Sequence, residues 1–224
     1  AGVIWLSPPQ ARARVTEDVI THPASGITSA MVRAGLGIGS LRVSALEDTD
    51  HAFELVASYD RNQVQLTQDV RVEDGVARVR LGTTSQRVGW PSLGRSVESE
   101  WRLSLNPDIP MRLDISTGVS RAHLALDRLT LTRLTVNAGV GEVLLTLPDA
   151  GSYDVSVDGG VGALRIEVPE EVEARLRVDR GLGALEIAPR FRPDGIYHVT
   201  AGFDGADDRV EIDVDGGVGS IVIR

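Results

Sequence analysis

The chain has 224 residues, enough for a substantial core in one or two domains, and its lack of cysteine excludes thiol catalysis, thiolate metal sites and disulfide staples. Its basic residues are all arginine, 23 of them against 32 acids, for a net charge of −9. An acidic body with few aromatic residues argues against a phosphate backbone as ligand, so no nucleic-acid partner is expected.

Residues 1–24 read as an N-terminal linker. Ala1-Gly2-Val3-Ile4-Trp5-Leu6 precedes Ser7-Pro8-Pro9 and is far too short to cross a bilayer, which takes about 20 apolar residues. It is either the end of a removed membrane helix or leader, or an ordinary loop. In the first case the protein is tethered by a segment absent from this chain.

Residues 25–100 read as a β region of short strands separated by turns. Ile27–Ala34, Ser40–Ser44, Phe53–Tyr59 and Val64–Thr67 alternate with period two, and Val70–Glu73 joins Val76–Leu81 across the hairpin dipeptide Asp74-Gly75. Gly37–Val43 matches Gly217–Ile223 closely, so this region carries one degenerate copy of the unit that follows. Residues 82–100, with Trp90-Pro91, have no periodicity and read as a long loop.

Residues 101–224 carry a repeat. Asx-x-Gly-(Val/Leu)-Gly recurs at Asn137–Gly141, Asp158–Gly162, Asp179–Gly183 and Asp215–Gly219, the first three copies 21 residues apart and the last 36 further on. The residues between keep step: Val136, Val157, Val178 and Val214 correspond, as do Leu124, Leu145, Ile166, Ile187 and Ile223. Leu103 and Leu105 lie 21 residues before Leu124 and Leu126, which extends the register back to Trp101. Two short strands per unit cannot bury both faces alone, but stacked rungs can, with Val, Ile and Leu in continuous inward columns. The predicted fold is all-β: a single-chain β-solenoid, β-helix-like, with a 21-residue repeat and a less regular N-terminal β region.

In sequence order the outward column runs Arg112, Arg133, Asp154, Arg175, Glu211, with Arg165 facing Glu186 and Arg177 facing Asp213, so opposite charges mostly meet across rungs. The extra residues between the third and fourth copies, about Pro189–Asp204, are expected to project as a loop or lid. Phe191, Tyr197 and Phe203 on that insertion are the candidate interaction residues.

The glycine motif does not read as a nucleotide site, because each copy runs into an alternating strand and not into a helix N-terminus. It does not read as a calcium β-roll either, since Leu164 stands where the ligand Asp belongs and the period is wrong. Asp158, Asp179 and Asp215 form a column with Asn137 that could hold a cation, against the simpler reading in which each Asx caps its own turn. The four histidines share no ligand spacing, and there is no Gly-x-Ser-x-Gly elbow. No catalytic residue, cofactor or metal is assigned.

Trp101–Pro110, followed by Leu113–Val119, Leu126-Asp127-Arg128-Leu129 and Asn137-Ala138-Gly139-Val140-Gly141, resembles the toastrack domain of bacterial cell-wall-active antibiotic response proteins. The resemblance covers residues 25–224, and related adhesin domains carry similar glycine-rich repeats. It implies a β-solenoid attached to membrane helices that acts in envelope-stress signalling by contacting other proteins, with no catalytic residues to carry over. This chain departs from the pattern in containing no membrane span, and the sensor-kinase partner of the best-known members is not legible in it.

The expected function is therefore a non-enzymatic, membrane-tethered cell-envelope module that binds a membrane-associated protein partner through the solenoid side or the insertion. The alternative is an adhesin-like surface domain that binds polysaccharide or self-associates through its terminal strand, Ser220–Arg224, read as an open β edge. A polysaccharide-degrading enzyme with carboxylates on one wall is weighed and set aside, because rung-to-rung pairing explains those columns. The extracytoplasmic side is expected, with the cytoplasmic face as the alternative.

Overall fold

Period-two alternation of aliphatic residues makes nearly every ordered stretch of this chain a strand. The structure, a computed structural model, describes residues 15–85 and 99–224. In chain order the strands are β1 (Val15–Pro23), β2 (Ser29–Ala45), β3 (His51–Asp60), β4 (Val64–Glu73), β5 (Val76–Ser85), β6 (Ser99–Leu105) and β7 (Met111–Ala125). They continue with β8 (Leu131–Thr146), β9 (Ser152–Glu167), β10 (Glu173–Asp179), β11 (Leu182–Ile187), β12 (Arg192–Asp194), β13 (Tyr197–Val199) and β14 (Arg209–Ile223). Among the described residues no helix is long and apolar enough to cross a membrane.

β2, β7, β8, β9 and β14 are long strands paired in parallel, and each bends at its glycine motif into two legs. Leu134 and Val136 on the first leg of β8, and Val143 and Leu145 on the second, belong to one buried core. A cavity of about 40 Å³ lies under the corner, lined by Val157 from a first leg and Val143, Leu164 and Ile221 from second legs. The coil returns to the next rung through buried loop residues such as Leu126 and Leu129, closed by the Leu129 amide donating to the Leu126 carbonyl at 2.9 Å. Over the following return loop the buried hydroxyl of Tyr153, at the start of β9, donates to the Pro148 carbonyl at 2.8 Å, and burial pushes its pKa up.

The rungs do not stack in sequence order at either end. β14 lies between β9 on one side and β10 and β11 on the other: Val214 pairs with both Val157 and Val178, and Ile223 with both Ile166 and Ile187. The open terminal edge expected at Ser220–Arg224 is thus an interior strand, and the end of the stack is β10 and β11. The same happens at the N-terminal end, where β2 lies between β6 and β7, with Leu41 paired to Trp101 and to Ala122. Trp101–Leu105 is therefore one rung removed from the ladder it was expected to start.

The N-terminal region caps the stack with antiparallel flaps. On the first-leg wall β5 pairs with β2, and β4 with β5 through the expected Asp74-Gly75 hairpin, whose residues both have positive φ. On the second-leg wall β6 pairs with β3 and β3 with β1. Val15–Pro23 is therefore a strand and not linker. Of the loop expected over 82–100, the two ends are strand, because β5 continues to Ser85 and β6 begins at Ser99; residues 86–98, with Trp90-Pro91, and residues 1–14 lie outside the described residues.

Residues 189–204 do not project freely. Their strands β12 and β13 form a hairpin whose inner strand adds to β10, with Arg175, Leu176 and Arg177 facing Val199, His198 and Tyr197. The first-leg wall gains two short strands at this end, while among the described residues the second-leg wall stops at β11.

Candidate functional site

Simple alternation places Val140 inward, because Leu134 and Val136 are buried at even positions before it. The alternation slips at the corner, so that inward residues after it are the odd-numbered Val143 and Leu145. A one-residue slip exchanges the two faces of a strand, and Val140 points to solvent. The same slip recurs in every bent strand. Ile38, Val119, Val140, Val161, Val218 and Leu182 are register partners in that order across six neighbouring strands. The first five are 48–59% exposed and Leu182 is 73% exposed. At a strand spacing of about 4.8 Å this is a straight aliphatic ridge roughly 24 Å long.

Glycine flanks five of the six on both sides, with Ser120 following Val119, which explains why among the described residues nothing shades the ridge. After the aliphatic residue, Gly39, Gly141, Gly162, Gly219 and Gly183 take φ between +141° and +152°. A Cβ on any of them would sit within 1.9 Å of a backbone oxygen in the adjacent strand. Before it, a Cβ on Gly139, Gly160 or Gly217 would also fall within 2.3 Å of a neighbouring carbonyl. At these positions rungs packed this tightly leave no room for a flanking side chain, so the aliphatic residue between two such glycines stands above bare backbone.

One flank of the ridge is acidic toward the C-terminal end. Its column runs Gly35, Ser116, Asn137, Asp158, Asp215, Asp179 in spatial order, so the three candidate carboxylates do adjoin, with Asp215 in the middle. All three are exposed, and among the described residues no group of three or more His, Cys, Asp or Glu could take a metal ion. Asp179 Oδ1 accepts a hydrogen bond from the Gly181 amide at 3.4 Å, the turn-capping role of an Asx residue.

The insertion places its aromatic residues differently from expectation. Phe191 and Phe203 are buried and serve packing, and Tyr197 alone of the three reaches solvent. The Arg175 guanidinium lies 5.4 Å from the Tyr197 ring centre and 4.9 Å from that of Phe203, and it donates to Glu211 at 2.6 Å. The hydrogen bond with Glu211 holds Arg175 above its usual pKa.

Tyr197 closes one end of a groove of about 450 Å³ on the outer face of the first legs. Two rows cross its strands: Arg133, Asp154, Glu211, Arg175, and Thr135, Ser156, Asp213, Arg177. Arg133 pairs with Asp154 at 2.7 Å and Arg177 with Asp213, as Arg175 does with Glu211. The inserted β14 thus reorders the expected charge column without breaking its pairing. Arg165 does not meet Glu186, because Val222 lies between them; Arg224 takes Glu186 at 3.3 Å instead.

Residues 10–167 match the family model described as the N-terminal domain of toast_rack, DUF2154. No curated protein matches the sequence. Among solved structures, a candidate cell adhesion protein from Clostridium sporogenes is 20% identical with a TM-score of 0.82, the alignment covering 94% of this chain and 99% of that one. A candidate adhesin from Bacteroides fragilis is 11% identical over 94% and 97% of the two chains, with a TM-score of 0.31. One from Parabacteroides distasonis is 12% identical over 93% and 98%, with a TM-score of 0.27. The first likeness is one of fold; the other two superpose too poorly to bear on fold or function.

Proposed function

The chain belongs to the toast-rack family, whose N-terminal domain it matches over residues 10–167, and from that premise we propose that it is a non-enzymatic binding module which docks a protein partner on its aliphatic ridge. The observation that carries this is the line of six exposed aliphatic side chains from Ile38 to Leu182. Isolated exposed valines need no explanation, but a contiguous row on a rigid support marks an interaction surface. The ridge offers no acid, base or nucleophile, so it supplies contact area and no chemistry. Its acidic flank at Asp158, Asp215 and Asp179 disfavours an anionic membrane surface and suits a partner with an apolar strip beside basic groups. A photo-reactive residue at Val161 is expected to label a partner protein in the producing cell, with labelling lost in a Val140→Asp background. One at Gln68, on the outer flap, should not label it; equal labelling from both positions, or none from Val161, refutes the reading.

The finer proposal is that this module is tethered to the cell membrane on its extracytoplasmic side and takes part in envelope-stress signalling. The family resemblance supports it. Fractionation and protease accessibility of the full-length protein test it, and recovery in the soluble cytosol counts against it.

A second reading, self-association, is favoured by β11, which among the described residues pairs with β14 on one side only. The other outer edges are blunted by charge or proline: Asp69, Arg71 and Glu73 on β4, Glu17 and Asp18 on β1, Arg192-Pro193-Asp194 on β12. β11 carries only Glu186. Sedimentation should show concentration-dependent dimers that Leu185→Lys abolishes; a wild-type monomer at every concentration removes this reading.

A further inference from the structure

We propose that the groove ending at Tyr197 is a binding site for an uncharged oligosaccharide, lying across the strands of the first-leg wall and separate from the ridge. Three observations carry it. The first is charge. Arg133, Arg175 and Arg177 are each matched by a carboxylate, Asp154, Glu211 and Asp213, so the groove has no net charge. A polyanion or polycation gains nothing there, while a neutral ligand meets a dense set of both donors and acceptors.

The second observation is shape. The groove crosses four strands, about 14 Å at the spacing of a β-sheet, and its volume of about 450 Å³ lies in the range of ligand clefts, roughly 300–1,000 Å³. It runs over the face of the sheet and presents no free strand edge, so it cannot take an extended peptide by backbone pairing. Its lining is mostly polar, with the Thr135 and Ser156 hydroxyls in the second row. A ligand rich in hydroxyls, each of which both donates and accepts, fits that lining where an apolar helix does not.

The third is preorganisation. Arg175 is held by Glu211 and by the rings of Tyr197 and Phe203, which fixes its guanidinium before any ligand arrives. Tyr197 is then a partly exposed aromatic wall at the groove's end, of the kind against which the apolar face of a pyranose ring packs. The insertion that builds this wall lies outside the residues matched by the family model, which end at 167.

The probes are chitotetraose, cellotetraose and mannotetraose, with tetragalacturonate as the acidic control, titrated calorimetrically against the full chain. At least one neutral probe is expected to bind saturably in the micromolar to millimolar range, and the acidic control more weakly. Tyr197→Ala should weaken binding about tenfold or more, and Ser156→Trp, which fills the groove from an exposed position, should abolish it. Val161→Asp on the ridge should leave it unchanged. Ser156 is exposed and Tyr197 is partly exposed outside the core, so both variants are expected to fold, Tyr197→Ala with a small drop in melting temperature from the lost contact with Arg175. Absence of saturable binding by all three neutral probes, equal or tighter binding of the acidic one, or undiminished binding by folded Tyr197→Ala and Ser156→Trp overturns the proposal.

Discussion

Leu182 and Val218 are register partners on adjacent strands, yet Val218, the later residue in the chain, lies further inside the stack, with Val161 on its other side. The final strand is threaded between two rungs laid down before it. Ile223 is consequently buried and paired on both sides, whereas Ile187 on β11 is half-buried at the end of the stack. Ile223→Ala should cost about 2–5 kcal/mol as a core truncation, and Ile187→Ala under about 1.5 kcal/mol. Urea denaturation of the two variants checks this; the reverse order would put the C-terminal strand at the edge.

The corner glycines differ sharply in what they tolerate. Gly162 has φ +146°, and a Cβ there would approach the Gly141 carbonyl oxygen to 1.8 Å, so Gly162→Ala meets both backbone strain and rung-to-rung collision. Gly151, in a return loop, has φ +98° but nothing within 4 Å of the same position. Gly162→Ala is expected to cost about 3 kcal/mol or more, and Gly151→Ala about 1–2 kcal/mol from conformation alone. Thermal melts of both variants would show the gap, and equal losses would mean that rung packing at the corner is not the constraint.

The ridge makes a similar contrast within one strand. Val161→Asp replaces an exposed aliphatic residue above bare backbone and should change stability by no more than about 0.5 kcal/mol. Leu164→Asp, three residues on, puts a carboxylate into the core and should prevent folding. Circular dichroism and melting of the two variants measure it. Loss of fold in Val161→Asp would mean that the valine is covered.

Sequence periodicity carries the solenoid, its corner glycines and most of its inward columns, because a 21-residue repeat with alternating aliphatic residues leaves little else that buries both legs. It misreads the ridge for a specific reason. Val140 is in phase with Leu134 and Val136 and so looks like core; only the change of phase at Val143 and Leu145 shows that a residue has been added at the bend. Leu134 and Leu145 lie 11 positions apart, and that odd separation between two inward residues is the signal. Rung order is less legible. The copies at Asp179 and Asp215 are interchangeable in pattern, and nothing local in either tells which one pairs with Asp158. The aromatic residues of the insertion mislead in the opposite direction: Phe191 joins the core and Phe203 is buried beside Arg175, which leaves Tyr197 alone at the surface.

At the opposite end of the stack, β1 is held to β3 partly by one polar cluster. The Tyr59 hydroxyl donates to Asp18 Oδ2 at 2.5 Å, and Arg61 donates to Oδ1 at 2.8 Å. The bond from Tyr59, with help from Arg61 against the cost of burial, holds Asp18 below the usual carboxylate pKa. A carboxylate lowered by folding stabilises the native state above its unfolded pKa of about 3.9 and loses that contribution as pH falls through the lower native value. Burial and the neighbouring Asp18 raise Tyr59, so its contribution is complete below its ordinary value near 10 and is lost as pH rises from there through the higher native one. Across neutral pH the cluster is intact from both sides. The difference in melting temperature between wild type and Tyr59→Phe should therefore be constant from about pH 5 to 9 and shrink on acidification below the unfolded carboxylate pKa. In parallel, the Asp18 carboxyl, followed by NMR, should titrate closer to the ordinary carboxylate value in the variant. A difference that stays the same down to the acid limit of folding would show that the Tyr59 hydroxyl is not what holds Asp18 ionised.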